Sequence, residues 1–210
     1  MNTEIGTDLS KALTLLQSGQ TVAVPTETVY GLAADANNDD AVLDIFKAKG
    51  RPTSNPLILH FASLAQALPY IEIFPDVFQK LASVFCPGPL TFIVAKSSLV
   101  SPLITGGQDT VAIRFPKHPA LQELLLALGR PLAAPSANLY GQLSPTTTAH
   151  VYEQLTGRVP YILDGGACWE GLESTIIGLE NERVLIYRHG GITTEALTEV
   201  LGYQPAAKVH

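Results

Sequence analysis

A chain of 210 residues that is 46% hydrophobic and 15% charged can bury one substantial core, and one domain is the default at this length. Its formal net charge of −6 argues against a protein that coats nucleic acid by bulk electrostatics, so any anion site must be local. Two cysteines, Cys86 and Cys168, are too few and too far apart for a disulfide framework, and no stretch approaches the roughly 18 uninterrupted apolar residues of a membrane span.

The opening residues, MNTEIGTDLSK, lack the basic-then-apolar order of a secretory signal, which predicts a cytoplasmic protein. Leu9, Ala12, Leu13 and Leu16 then recur at helical spacing behind the cap candidates Thr7 and Asp8, with Gly19 as the stop. Residues 21–25 read as a short buried strand, followed by a polar turn and a second helix over 39–49 that Gly50 ends. Further strands are predicted at 57–61, 91–95, 110–115, 131–134, 161–163, 175–179 and 183–187. Helices are predicted between them at 75–85, 119–128, 146–155 and 193–201. No repeat or linker interrupts this alternation, so a mixed sheet covered by helices is the economical α/β fold.

Three local patterns carry chemistry. In Lys47-Ala48-Lys49-Gly50-Arg51-Pro52, three of the 13 Lys and Arg residues fall at one helix end; a helix C-terminus accepts such cations for its dipole alone. The sequel, Asn55-Pro56-Leu57-Ile58-Leu59-His60, sets an amide before a buried strand and an imidazole at its end, where α/β proteins place ligand groups. In Ala133-Ala134-Pro135-Ser136-Ala137-Asn138 an apolar strand runs into small and hydrogen-bonding residues that suit either a ligand's close approach or a plain turn. The third pattern, Pro25 to Leu32, sets Thr26, Glu27 and Thr28 after the first strand, where capping serves equally well. No Walker A loop, dinucleotide fingerprint, GxSxG elbow, HExxH or metal-ligand spacing is present.

In joint order these segments resemble the YrdC-like family of threonylcarbamoyl-adenylate synthases. The match is carried by PTETVYGL at 25–32, KAKGRPTSNPLILH at 47–60, PGPLT at 87–91, VAIRFP at 111–116, PSAN at 135–138 and ESTII at 173–177. The resemblance implies a YrdC-like twisted mixed β-sheet flanked by helices, with a concave polar cleft. It implies a single domain over 1–210 with its core at about 9–192, lacking the additional C-terminal domain and any lid of longer relatives. The implied reaction joins L-threonine, bicarbonate or CO2 and ATP into threonylcarbamoyl-AMP and pyrophosphate, for use by partner proteins that modify tRNA.

By the same resemblance Lys49 and Arg51 are the catalytic cations on the ATP phosphates. Asn55, Thr110, Ser136, Ser144 and Arg188 join Arg51 as ATP contacts, and Asn138 supports them. Thr28, His60, Arg114, the backbone of Ala134, and Ser174 are the implied threonine contacts. A charged Arg114 inside a strand needs a partner, and a substrate carboxylate would provide one. Mg²⁺ is expected with ATP, held mainly by phosphate oxygens and water, with Glu27, Asp164 and Glu173 as undecided helpers. Cys86 stands where the family usually has Trp, and His189 where Pro is common. Two other readings stay open: an RNA-binding or ribosome-maturation module, and a paralogue with a different carbamoyl or adenylyl transfer.

Overall fold

A computed structural model describes residues 2–208 of the chain. A short strand β1 (Glu4–Gly6) leads into helix α1 (Leu9–Gln17), whose N-cap Asp8 accepts from the Lys11 N–H and whose Ala12 and Leu16 are buried. Strands β2 (Val22–Val24) and β3 (Gly31–Asp35) follow, then helix α2 (Asp39–Lys49). Every end signal of α2 agrees with its sequence: Asn38 accepts from the Asp40 and Ala41 N–H groups, Asp39 and Asp40 fill the first turn, Lys47 and Lys49 the last, and Gly50 turns left-handed at φ 62°.

Strand β4 (Ile58–His60) precedes a short helix α3 (Leu64–Ala67), a 3-10 turn at Leu68–Tyr70, helix α4 (Asp76–Phe85) and strand β5 (Leu90–Ala95). Next come α5 (Pro102–Thr105), β6 (Thr110–Arg114), α6 (Pro119–Leu128), β7 (Leu132–Ala133), α7 (Thr148–Leu155) and β8 (Tyr161–Leu163). The chain ends with β9 (Thr175–Glu180), β10 (Arg183–Arg188), α8 (Thr194–Leu201) and β11 (Ala206–Ala207). The helices predicted from 146 and from 193 begin one to two residues later, because Thr147 and Thr193 serve as caps, accepting from the His150 and Ala196 N–H groups.

Among the described residues eleven strands form one mixed sheet in the order β1-β8-β2-β3-β7-β4-β6-β5-β9-β10-β11. The period-2 alternation of strands assigns two cores to its two faces. Val22 and Val24 of β2, Ala33 of β3, and Tyr161 and Leu163 of β8 pack with α1 and α6. Ala23, Leu32, Ala34 and Ile162, their neighbours in sequence, join the larger core that holds Val42 and Ile45 of α2 and Val151 and Leu155 of α7. Residues 31–35, read from sequence as part of a polar turn, are a fully buried strand between β2 and β7. Small residues filled it without β-branched or alternating character, so its signal was the packing of its neighbours. Strands β1 and β11, helices α3 and α5, and the 3-10 turn were likewise not anticipated. Among the described residues no helix is long and apolar enough to cross a membrane.

Candidate functional site

Strands β4, β6, β5 and β9 lie side by side, and their register builds the site. Ile58 pairs with Ala112 and His60 with Arg114; Ala112 and Arg114 in turn face Ile93 and Thr91 across β5. Ile58, Ala112, Ile93 and Ile176 point to the same side and line a cavity of about 340 Å³. Leu59, Phe92 and Ile113, between them in sequence, are fully buried in the core on the opposite side. The cleft therefore has an aliphatic floor flanked by polar groups, among them His60 and Arg114 on the same strands.

Among the described residues three guanidinium groups, of Arg51, Arg114 and Arg188, line this cavity, against one lining carboxylate, Glu173. In an acidic chain this is a concentrated local site for anions. The left-handed Gly50 turns the chain so that Arg51 reaches the cavity, where its Nη2 donates to the Pro56 carbonyl at 3.0 Å and its Cζ lies 5.9 Å from the centre of the Tyr140 ring. Its buried Nε has no protein partner, and burial pulls its pKa below the ordinary arginine value. Asn55 donates from Nδ2 to the Tyr140 hydroxyl at 3.0 Å, which sets that ring beside Arg51.

Lys49 takes the other direction. It is almost wholly buried, does not line the cavity, and its ammonium donates to the main-chain carbonyls of Ser136 and, at 2.6 Å, Asn138. The structure brings Lys49 to the loop under the cavity, where the carbonyls of Ser136 and Asn138 engage its donors. Burial first, and the charge of Arg51 second, lower its pKa to about 7. Asn138 is buried too, and its amide donates to the carbonyls of Leu139 and Gln142 at 2.9 and 2.8 Å, so it shapes the loop. Ser136 does reach the cavity, on a segment that pairs with β3 through Gly31 and through the Ala137 N–H donating to the Tyr30 carbonyl.

At the far wall Arg188 is fixed by Nε and Nη2 donating to the Ser174 carbonyl at 3.1 and 3.0 Å. The Ser174 hydroxyl shares a 2.8 Å hydrogen bond with Thr91. Ser144 is not a lining residue; its hydroxyl donates to Glu173. Thr110 is exposed at the end of β6 opposite Ala95, four residues along the strand from Arg114, and is not brought to the cavity.

Arg114 is buried and already has a carboxylate partner, Glu27, at 2.7 Å. The substrate carboxylate inferred from its burial is thus not what neutralises it, although Arg114 keeps further N–H groups in the cavity wall. Glu27 also accepts from the Lys117 N–H at 3.1 Å. Thr28 is fully buried against the Thr26 hydroxyl at 2.8 Å, and Thr26 is the one that lines the cavity. Ala134 lines it with its N–H donating to the Ile58 carbonyl at 3.1 Å.

His60 sits in the wall, with burial first and Arg114 second pulling its pKa down to about 3. Its Nδ1 lies 3.3 Å from the Ile58 carbonyl. A carbonyl oxygen only accepts, so Nδ1 carries the proton and Nε2 offers a lone pair. Sequence reasoning missed the Glu27–Arg114 pairing and the place of Thr26; a carboxylate and a hydroxyl beside a strand end were the available signals.

The family model described as Sua5/yciO/yrdC, telomere recombination, matches residues 14–190. The chain is 46% identical over 187 residues to a threonylcarbamoyl-AMP synthase of Pyrococcus abyssi, covering 89% of this chain and 55% of that protein. It is 45% identical over 195 residues to a threonylcarbamoyl-AMP synthase of Bacillus subtilis, covering 92% and 56%. It thus spans about half the length of these relatives. A crystal structure of P. abyssi Sua5 complexed with L-threonine superposes with a TM-score of 0.92 at 42% identity, over 98% of this chain and 62% of that one.

Proposed function

Because the chain belongs to the Sua5/yciO/yrdC family, we propose that its cavity joins L-threonine, bicarbonate or CO2 and ATP into threonylcarbamoyl-AMP and pyrophosphate. The threonine amine gives up a proton and adds to CO2, or to bicarbonate with loss of water, to form a carbamate; a carbamate oxygen attacks the α-phosphorus of ATP, and the bond to pyrophosphate breaks. The observation that carries this reading is the convergence of Arg51, Arg114 and Arg188 on one cavity with an aliphatic floor. Such a site holds several anionic groups in fixed geometry, which is what a reaction without a covalent nucleophile demands of a protein.

Arg51 and Arg188 are assigned to the phosphates, together with Asn55 and Ser136 from the same lining. Threonine is assigned to the wall of His60, Arg114, Ala134 and Ser174. There the Nε2 lone pair of His60 accepts from the amino acid's hydroxyl or amino group, and the remaining guanidinium donors of Arg114 meet its carboxylate. The likeness to threonylcarbamoyl-AMP synthases and to P. abyssi Sua5 complexed with L-threonine supports threonine as a substrate.

Mg²⁺ enters with ATP. Among the described residues no group of three metal-ligating side chains is available; Glu27 is committed to Arg114, and Asp164 accepts from the Gly166 N–H. The ion is therefore assigned to phosphate oxygens and water, and no step here runs through it. Tests of the reaction use ATP, bicarbonate, Mg²⁺ and labelled threonine, with pyrophosphate and threonylcarbamoyl-adenylate as readouts. Pyrophosphate release that ignores threonine would replace this reading with a different adenylyl transfer.

A further inference from the structure

Among the described residues Glu173 is the one carboxylate lining the cavity, whose other polar lining groups are guanidinium groups, an imidazole, an amide and hydroxyls. Its Oε1 accepts from the Ser144 hydroxyl, and its Oε2 lies 3.8 Å from Arg188 Nη2. It is half-buried, so it is neither a solvated surface acid nor a closed ion pair like Glu27 with Arg114. Its charge is felt across the site, raising the pKa of Lys49 and of Arg188 against the burial that lowers both.

From this arrangement we infer that Glu173 is an anionic placeholder that regulates nucleotide affinity, holding the Ser144 hydroxyl and the anion position beside Arg188 until a phosphate group displaces it. The inference rests on the nucleotide reading above. A carboxylate and a phosphate cannot share this position, because like charges at this separation repel in a partly desolvated site. Without nucleotide the carboxylate offsets the local positive charge and accepts from Ser144, while Arg188 is held by the Ser174 carbonyl. With nucleotide it must swing out, and that exchange weakens binding. Glu173 is not assigned to the reacting atoms; its effect is on how tightly the polyphosphate is held.

Glu173→Gln removes the charge and keeps an amide oxygen that can accept from Ser144. By titration calorimetry at fixed ionic strength, ATP is expected to bind this variant about tenfold more tightly than the wild type, equivalent to about 1.4 kcal/mol. Adenosine, which carries no phosphate, is expected to bind both alike, and Glu173→Asp, which keeps the charge, is expected to show no gain. Should Glu173→Gln melt early, Glu173→Ala removes the same charge in the same titration. Unchanged or weaker ATP binding by the charge-removed variant, or an equal gain for adenosine, overturns the placeholder while leaving the nucleotide reading intact. A wild-type protein that binds no ATP overturns both.

Discussion

Lys49 donates from its ammonium to the carbonyl of Asn138 at 2.6 Å, joining the end of α2 to a loop 89 residues further along the chain. Ser136 accepts from the same ammonium, so one buried cation holds both carbonyls of the loop that carries the Ser136 hydroxyl into the cavity. Replacing Lys49 with Met leaves these acceptors unpaired, at a cost of about 2–4 kcal/mol. The expected drop in melting temperature is roughly 5–10 °C for a protein of this size, accompanied by weaker ATP binding. An unchanged melt together with lost synthesis would instead make Lys49 a substrate contact.

Arg51 makes the opposite prediction. Its hydrogen bond to Pro56 is at the cavity surface, so Arg51→Ala should fold and melt like the wild type. Synthesis of the adenylate should fall by about 10²–10³-fold. Arg51→Lys should recover little of it, because an ammonium has neither the planar fork nor the face that lies over Tyr140. Retained activity in Arg51→Ala would remove it from the phosphate site.

The pair of Arg114 with Glu27 is buried on both sides. Glu27→Leu strands a buried guanidinium and should destabilise the protein by about 3–5 kcal/mol, whereas the double variant Glu27→Leu, Arg114→Leu should regain a large part of that loss. Denaturant titration of the two variants is the check. Additive losses would mean that the two side chains do not act as a pair.

His60 has a folded pKa near 3, below its unfolded value of about 6.5. Between these values the unfolded chain binds the extra proton, so stability rises with pH across this window and falls on acidification. From pH 6.5 to pH 5 the wild type should lose about 1.5 kcal/mol more than His60→Asn, measured by denaturant titration at each pH. Parallel losses in both proteins would show that His60 is not held neutral.

Gly106 closes α5 in the left-handed region at φ 59°, with its missing Cβ directed at the Ser54 carbonyl, next to Asn55. Gly106→Ala should cost about 1–3 kcal/mol in backbone strain and move the loop that bears Asn55. A lower melting temperature with weaker ATP binding is the expected result; an unaffected melt would mean that the loop yields freely.

Much of this architecture follows from local physics that a sequence displays. Helices α1 and α2 carry their apolar spacing, caps and glycine stops in consecutive residues, α6 its apolar spacing behind Pro119 and before Gly129, and β8 is a contiguous apolar run. The motifs that mark the family are equally local, and their order along the chain was enough to point to the cavity's main residues. What the sequence could not determine is the direction of side chains that meet partners far away in the chain. Lys49 and Arg51 are two residues apart, yet the left-handed Gly50 between them sends one beneath the loop of Ser136 and the other into the cavity. Arg114 finds Glu27 and Glu173 finds Ser144 only because the sheet brings distant loops together. Tertiary structure decided these pairings, since the energy of a buried charge depends on which group folding sets against it.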